Sequence, residues 1–186
     1  MLVIVEGADL VGKSTLVERL AVRHNLPIIK LRWALRGDPE IETRAMAATT
    51  IGILRATQPR AIFDRAYFSW WAYAPALGYD ASYMPELIAG FTGIHAHVIV
   101  LTASEAELRR RYERKPDAYF SLDVIFAANA RFPSLLPLLP PSLPRLHIDT
   151  TANDADAVYM QAEEPFSASE GGVYDSSPSV RKITCS

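Results

Sequence analysis

One cysteine, Cys185, stands among 186 residues, so no disulfide framework can hold this chain together. A reducing, intracellular setting is the expectation that follows. Long apolar runs are missing as well. No stretch approaches the ~20 apolar residues that a membrane-crossing helix needs. The first apolar run, Leu2-Val3-Ile4-Val5, is too short for the core of a secretory signal peptide. An excess of one charge is also absent: 19 Lys and Arg face 21 Asp and Glu, a formal net charge of −2. No global basic field therefore argues for nucleic acid, although a local basic groove is compatible with a balanced total. The expectation is a cytoplasmic protein without a membrane partner.

What is present is the apolar and charged content of an ordinary globular chain, long enough to bury a full core as one domain. Strand-like apolar runs alternate with helical patterns. The strands are expected at 2–5, 27–31, 60–64, 96–101 and 145–149. Helices are expected at 13–24, 40–56, 66–76, 85–90, 105–115, 122–131 and 155–162. Such alternation predicts an α/β fold: a parallel five-stranded sheet with helices on both faces, in three layers. Five prolines between Pro133 and Pro144 predict an irregular connector, with a proline-recognition ligand as the alternative reading. Residues 1–164 read as the domain. Residues 165–186, rich in Ser, Gly and Asp, read as a disordered C-terminal tail.

The most informative segment is Gly7-Ala8-Asp9-Leu10-Val11-Gly12-Lys13-Ser14-Thr15, which fits the P-loop pattern G-x-x-x-x-G-K-[ST] at every fixed position. It follows a strand and opens a helix, the context the pattern requires. Glycines allow successive N–H groups to curl around an anion, and the helix N-terminus adds unpaired donors. Lys13 is expected to reach the β- and γ-phosphates, and the Ser14 hydroxyl to ligate Mg²⁺.

Other signals surround the loop. The strand Ala61-Ile62-Phe63 ends in Asp64-Arg65, which an open α/β sheet places beside the P-loop. Asp64 would orient metal-bound water or take a proton, and Arg65 would hold an anion. The alternative is a helix-capping aspartate with a solvated arginine. Glu105 to Lys115 carries Arg109, Arg110, Arg111 and Arg114 on a helix opened by Ser104. Arg110 and Arg114 share a face and suit transferred phosphoryl charge, whereas Glu107–Arg111 pairing is the alternative. Asp9 is an acid within a phosphate loop and is expected to turn toward an acceptor sugar hydroxyl. Among Phe68, Trp70, Trp71 and Tyr73, most should pack in the core. Phe68 or Tyr73 is the expected contact to a base.

These residues resemble the thymidylate kinase-like group of P-loop kinases. Glu6 to Thr15 is similar to its E-G-x-D-x-x-G-K-S-T loop. Asp64-Arg65-Ala66-Tyr67 with Ser69 and Ala72-Tyr73 resembles its D-R-[YH] and S-x-x-A-Y segments. Glu105–Arg114 resembles its arginine-bearing lid, and Leu146–Thr151 its final strand. The resemblance spans about residues 1–160 and implies ATP and Mg²⁺ as cofactors. It implies catalytic roles for Lys13, Asp64, Arg65, Arg110 and Arg114, and a thymidine-like deoxynucleotide acceptor. Two departures remodel the acceptor side: Leu31 to Pro39 replaces the usual R-x-P-G-G-T stretch, and Ala74 stands where glutamine is usual. Some phage members of the group resemble this compact form and phosphorylate 5-hydroxymethyluracil already in DNA, in a host cytoplasm. That alternative needs a basic approach surface, for which Arg32, Arg36 and Arg44 are the candidates. The expected partner is a nucleotide or nucleic-acid acceptor, with a homodimer left open. A GTPase would carry an N-K-x-D motif, which the chain lacks; a non-catalytic ATP-binding module is the remaining alternative from another class.

Overall fold

A computed structural model describes residues 1–31, 37–167 and 181–182. The chain forms β1 (Leu2–Gly7), α1 (Lys13–His24), β2 (Ile28–Lys30), α2 (Pro39–Thr57), β3 (Ala61–Asp64), α3 (Ser69–Ala76) and α4 (Met84–Ala89). It continues with β4 (His97–Thr102), α5 (Glu105–Arg114), α6 (Leu122–Arg131), a 3-10 helix (Phe132–Leu138), β5 (Arg145–Asp149), α7 (Ala155–Ser167) and β6 (Arg181–Lys182). All strand pairs are parallel, in the order β2-β3-β1-β4-β5-β6. Five strands are those expected from the sequence, and the two-residue β6 is an addition. Arg32 and Arg36 lie outside the described residues, as does most of the 165–186 tail.

The sheet is built around β1 because Val3, Ile4 and Val5 are apolar on both faces and fully buried. Two groups of helices flank it: α1 with α7, and α3 with α6 and the 3-10 helix. From β1 the chain first builds outward through β2 and β3, then crosses to β4 and β5 on the other side. That reversal opens a crevice at the carboxyl end of β1, where the residues after Gly7 must pass.

Local chemistry sets the helix limits. Asp38 caps α2 by accepting from the N–H groups of Glu40 and Ile41, with Pro39 at the first position. Ser104 and Ser121 cap α5 and α6, and Asn25 ends α1 in a left-handed turn. Helix α3 starts at Ser69 rather than the expected Ala66; the left-handed Arg65 and a tight turn over 66–69 precede it, and the Ala66 N–H donates to the Glu6 carboxylate. The proline-rich connector is partly ordered as the 3-10 helix. Its prolines cannot donate, and the Arg145 guanidinium gathers carbonyls of Leu136, Leu139, Pro140 and Leu143. Leu135, Leu139 and Leu143 are buried, which disfavours the proline-recognition reading. Helix α7 runs past the expected end at Ala162 as far as Ser167, and the Phe166 ring is buried against His97 and His24.

Candidate active site

The P-loop sits at the crevice, and its backbone explains its glycines. Gly7 has φ +145°, and a Cβ there would lie 2.5 Å from the Leu101 carbonyl oxygen of β4. Gly12 (φ +96°) and Leu10 (φ +70°) also occupy the left-handed region, so the loop curls tightly before α1. No side chain caps α1 among the described residues, and no acid stands in its first turn. Unpaired N–H groups and the positive end of the helix dipole therefore face the crevice. The side chains of Ser14 and Thr15 are exposed at this end. One accessible hydroxyl beside an anion cradle fits Mg²⁺, which is commonly held by few protein ligands together with substrate phosphates.

Lys13 is buried and folds back onto the Ala8 carbonyl, 3.9 Å from Asp9. Burial and the nearby Arg65 charge pull its ammonium down to about 7. Asp9 does not present an idle carboxylate to an acceptor. Its Oδ1 receives Arg65 at 2.6 Å, its Oδ2 receives the Tyr73 hydroxyl at 2.7 Å, and its own N–H donates to that hydroxyl. Burial alone would raise the Asp9 carboxyl, but Lys13, Arg65 and Tyr73 outweigh it and hold it below the usual range.

Asp64 ends β3 and Arg65 follows it, with different partners. Val5, Asp64 and Lys30 lie in register across β1, β3 and β2, which brings Lys30 Nζ to 3.5 Å from Asp64. Asp64 is not a helix cap, since α3 begins five residues later. Nor is Arg65 solvated. Its side chain is 13% exposed, with a left-handed backbone (φ +73°). It donates to the Gly7 carbonyl, Ser69 Oγ, Asp9 and the Tyr73 hydroxyl.

The arginine helix behaves differently from its sequence pattern. Arg110 pairs with Glu107 on the surface, and Arg114 is exposed. Arg111 is the arginine that reaches the P-loop. It donates to the Leu10 carbonyl at 2.8 Å, to the Thr150 hydroxyl and to the Thr150 carbonyl, and it also pairs with Glu107. The Thr150 hydroxyl lies within hydrogen-bond distance of the Val11 and Thr102 carbonyls. The Glu107–Arg111 pairing anticipated as the alternative is thus present, and the same arginine clasps the loop. A cleft between this clasp and α1 is lined by Gly12, Thr15, Arg111, Thr150 and Asn153.

Two further corrections concern the aromatic segment and a residue that motif reading passed over. Phe68 is fully buried between Tyr67 and Phe91 and cannot meet a base. Tyr73 is buried too, its ring lying between the Arg65 guanidinium and Phe120 of the α5–α6 connection. Glu6, noted in the sequence only as part of the loop pattern, is fully buried. Its carboxylate accepts from the Ala66 N–H and the Ser69 hydroxyl. Burial pushes it up to about 7, against the pull of these two donors and of Arg65 and Lys13. The available signal was an acid continuing an otherwise apolar central strand.

No protein-family model and no curated protein matches this sequence. Solved structures do. The chain is similar to the YorR protein from Bacillus subtilis, in complex with phosphorylated GDP, at TM-score 0.70 and 19% identity, covering 94% of this chain and 100% of that one. It is similar to thymidylate kinase from Candida albicans at TM-score 0.63 and 18% identity, covering 91% and 92%. Deoxyadenosine kinase from M. mycoides, with products dCMP and dCDP, matches at TM-score 0.56 and 15% identity, covering 91% and 99%. The fold is the one these solved structures share, a parallel sheet with helices on both faces. Among the described residues, no helix is long and apolar enough to cross a membrane.

Proposed function

We propose that this protein is an ATP- and Mg²⁺-dependent phosphotransferase acting on a thymidine-like deoxynucleotide. The observation that carries the reading is the P-loop at the sheet's switch point, with Lys13 behind it and Asp64 and Arg65 at the facing strand end. The loop N–H groups, Lys13 and Ser14 would hold the donor phosphates and their metal, which neutralises charge developing on the transferred group. Arg111 and Thr150 would frame the donor nucleotide's cleft rather than grip the γ-phosphate. The proposed roles of Arg110 and Arg114 then require the helix to move over the phosphates. Similarity to a thymidylate kinase and a deoxyadenosine kinase supports a deoxynucleotide acceptor. A cytoplasmic location and a single kinase domain spanning 1–164 belong to the same proposal.

One observation favours a second reading, in which a hydroxyl group is the acceptor. The terminal nitrogens of Arg65 are engaged by four protein acceptors, so it is poorly placed to grip an acceptor phosphate. A hydroxyl acceptor needs its proton taken, and Asp64 is the carboxylate at the strand end suited to that task. The hydroxymethyl group of 5-hydroxymethyluracil in DNA would be such an acceptor. The test is transfer from γ-labelled ATP to dTMP, thymidine, 5-hydroxymethyl-dUMP, and duplex DNA with or without 5-hydroxymethyluracil. Label on dTMP supports the first reading. Label confined to hydroxyl acceptors supports the second. Label on none, or full transfer by Lys13→Ala, would sink both.

A further inference from the structure

A fully buried carboxylate lies directly beneath the P-loop, and the phosphoryl-transfer chemistry above makes no use of it. Glu6 is the penultimate residue of the wholly buried β1, one residue before the loop. Its two oxygens meet two donors from another part of the chain: the Ala66 N–H at 2.7 Å and the hydroxyl of Ser69, itself buried. The same turn is fastened at three more points. The Arg65 N–H donates to the Val5 carbonyl at 3.0 Å, and its guanidinium donates to the Gly7 carbonyl at 2.9 Å and to Ser69 Oγ at 3.3 Å. Residues 64–69 are thereby stapled to β1 and to the first residue of the loop. The staple is needed because Arg65 holds a left-handed backbone that a non-glycine residue adopts only when its surroundings enforce it.

We propose that Glu6 is a positioning residue: its ionised carboxylate holds the Asp64–Arg65 turn in one register with the P-loop, aligning the acceptor side with the donor side. The inference rests on the phosphotransferase reading. The carboxylate form matters because both partners are donors. An ionised carboxylate accepts from each; a protonated carboxyl or an amide offers one acceptor and one donor. Ser69 already accepts from Arg65, so it would have to accept a second time and redirect its own hydrogen. The charged groups around Glu6 are Lys13 from α1 and Arg65 from the turn, and Asp9 and Asp64 share the same two cations. Burial pushes Glu6 up to about 7, so the doubly accepting carboxylate that aligns the turn is populated as pH rises through that value, at a cost in stability set by its burial.

The experiment compares wild type, E6Q, E6A and S69A by steady-state transfer and by hydrogen exchange of the 64–69 backbone. E6Q and S69A should lower kcat roughly tenfold and E6A about a hundredfold, the scale expected of small misplacements. KM for ATP should change little. The wild-type kcat should rise from pH 6 to pH 8, and E6Q should flatten that limb. Faster exchange at Ala66–Ser69 should follow the same order of variants. Exchange is read whether or not transfer is found, so absence of transfer by the wild type overturns the activity while exchange still judges the staple. Wild-type exchange rates in E6A and E6Q would overturn the proposal. So would an E6Q as inactive as E6A on hydroxyl acceptors alone, with the turn still protected, since Glu6 would then be taking the proton itself.

Discussion

Lys13 shows how one side chain links burial to ligand binding. Its ammonium is depressed to about 7 in the unliganded protein, below the ordinary 10.5. The contribution this makes to stability is present above 10.5 and lost as pH falls through about 7, because the folded state then has to accept a buried charge. On the proposed function, phosphates would supply the missing counter-charge, so nucleotide binding at pH 8 should take up a proton. Calorimetry of ATP binding in buffers of different ionisation heat checks this. A buffer-independent heat would show that Lys13 is already charged. Replacing Lys13 with Ala should cost on the order of 10²–10³ in kcat, as removal of a preorganised charge-stabilising donor does elsewhere. Gly7 is a steric counterpart: a Cβ would collide with the β4 backbone, so Gly7→Ala should abolish ATP binding, measured by fluorescent nucleotide titration.

Helix α5 is tied to the P-loop through Arg111, whose hydrogen bonds reach Leu10 and Thr150. Arg111→Ala leaves those carbonyls without their charged donor and should destabilise the protein by about 1–3 kcal/mol. On the proposed function it should also weaken ATP binding, because the loop it clasps would hold the phosphates. Arg110→Ala removes an exposed pair with Glu107 and should leave the melting temperature unchanged. Thermal melts of the two variants side by side decide between the arginines. If Arg110→Ala proved the more damaging to stability, the clasp assignment would be wrong. A similar logic applies to the Arg145 guanidinium, which organises a connector whose prolines cannot satisfy each other's carbonyls.

Across the molecule, a buried Glu6 and a half-buried His97 at opposite ends of the sheet make stability respond to pH in opposite senses. His97 is depressed to about 4 by burial, with the chain's amino terminus adding to the effect. Its contribution is present above about 6.5 and lost as pH falls through about 4. Glu6 is raised to about 7, so its contribution is present below 4.5 and lost as pH rises through 7. Between pH 6 and pH 4 the two oppose each other, so the melting temperature of His97→Gln should gain on that of the wild type as pH falls. Circular dichroism melts at pH 4, 5 and 6 check it. A difference between the two proteins that stays constant from pH 6 to pH 4 would overturn the His97 assignment.

The amino-acid order alone determined the parallel α/β architecture, the P-loop and the strand-end pair Asp64-Arg65. Each rests on short-range facts: apolar periodicity, capping residues, and glycines at loop positions that demand unusual φ. Helix limits were legible to within about three residues, except at α7, which runs to Ser167 where the sequence pattern ended at Ala162. The tertiary structure decided which charges meet. The sequence pattern favoured Arg110 and Arg114, which share a face, yet of the three it is Arg111 that meets Leu10 and Thr150. Asp9 and Tyr73, 64 positions apart, close a hydrogen-bonded pair that local reading assigned to an acceptor and a base. Glu6 acquires its meaning only once folding removes it from water and brings two donors to it. Hydrophobic pattern is periodic and local, whereas the pairing of buried polar groups depends on where separate strands end.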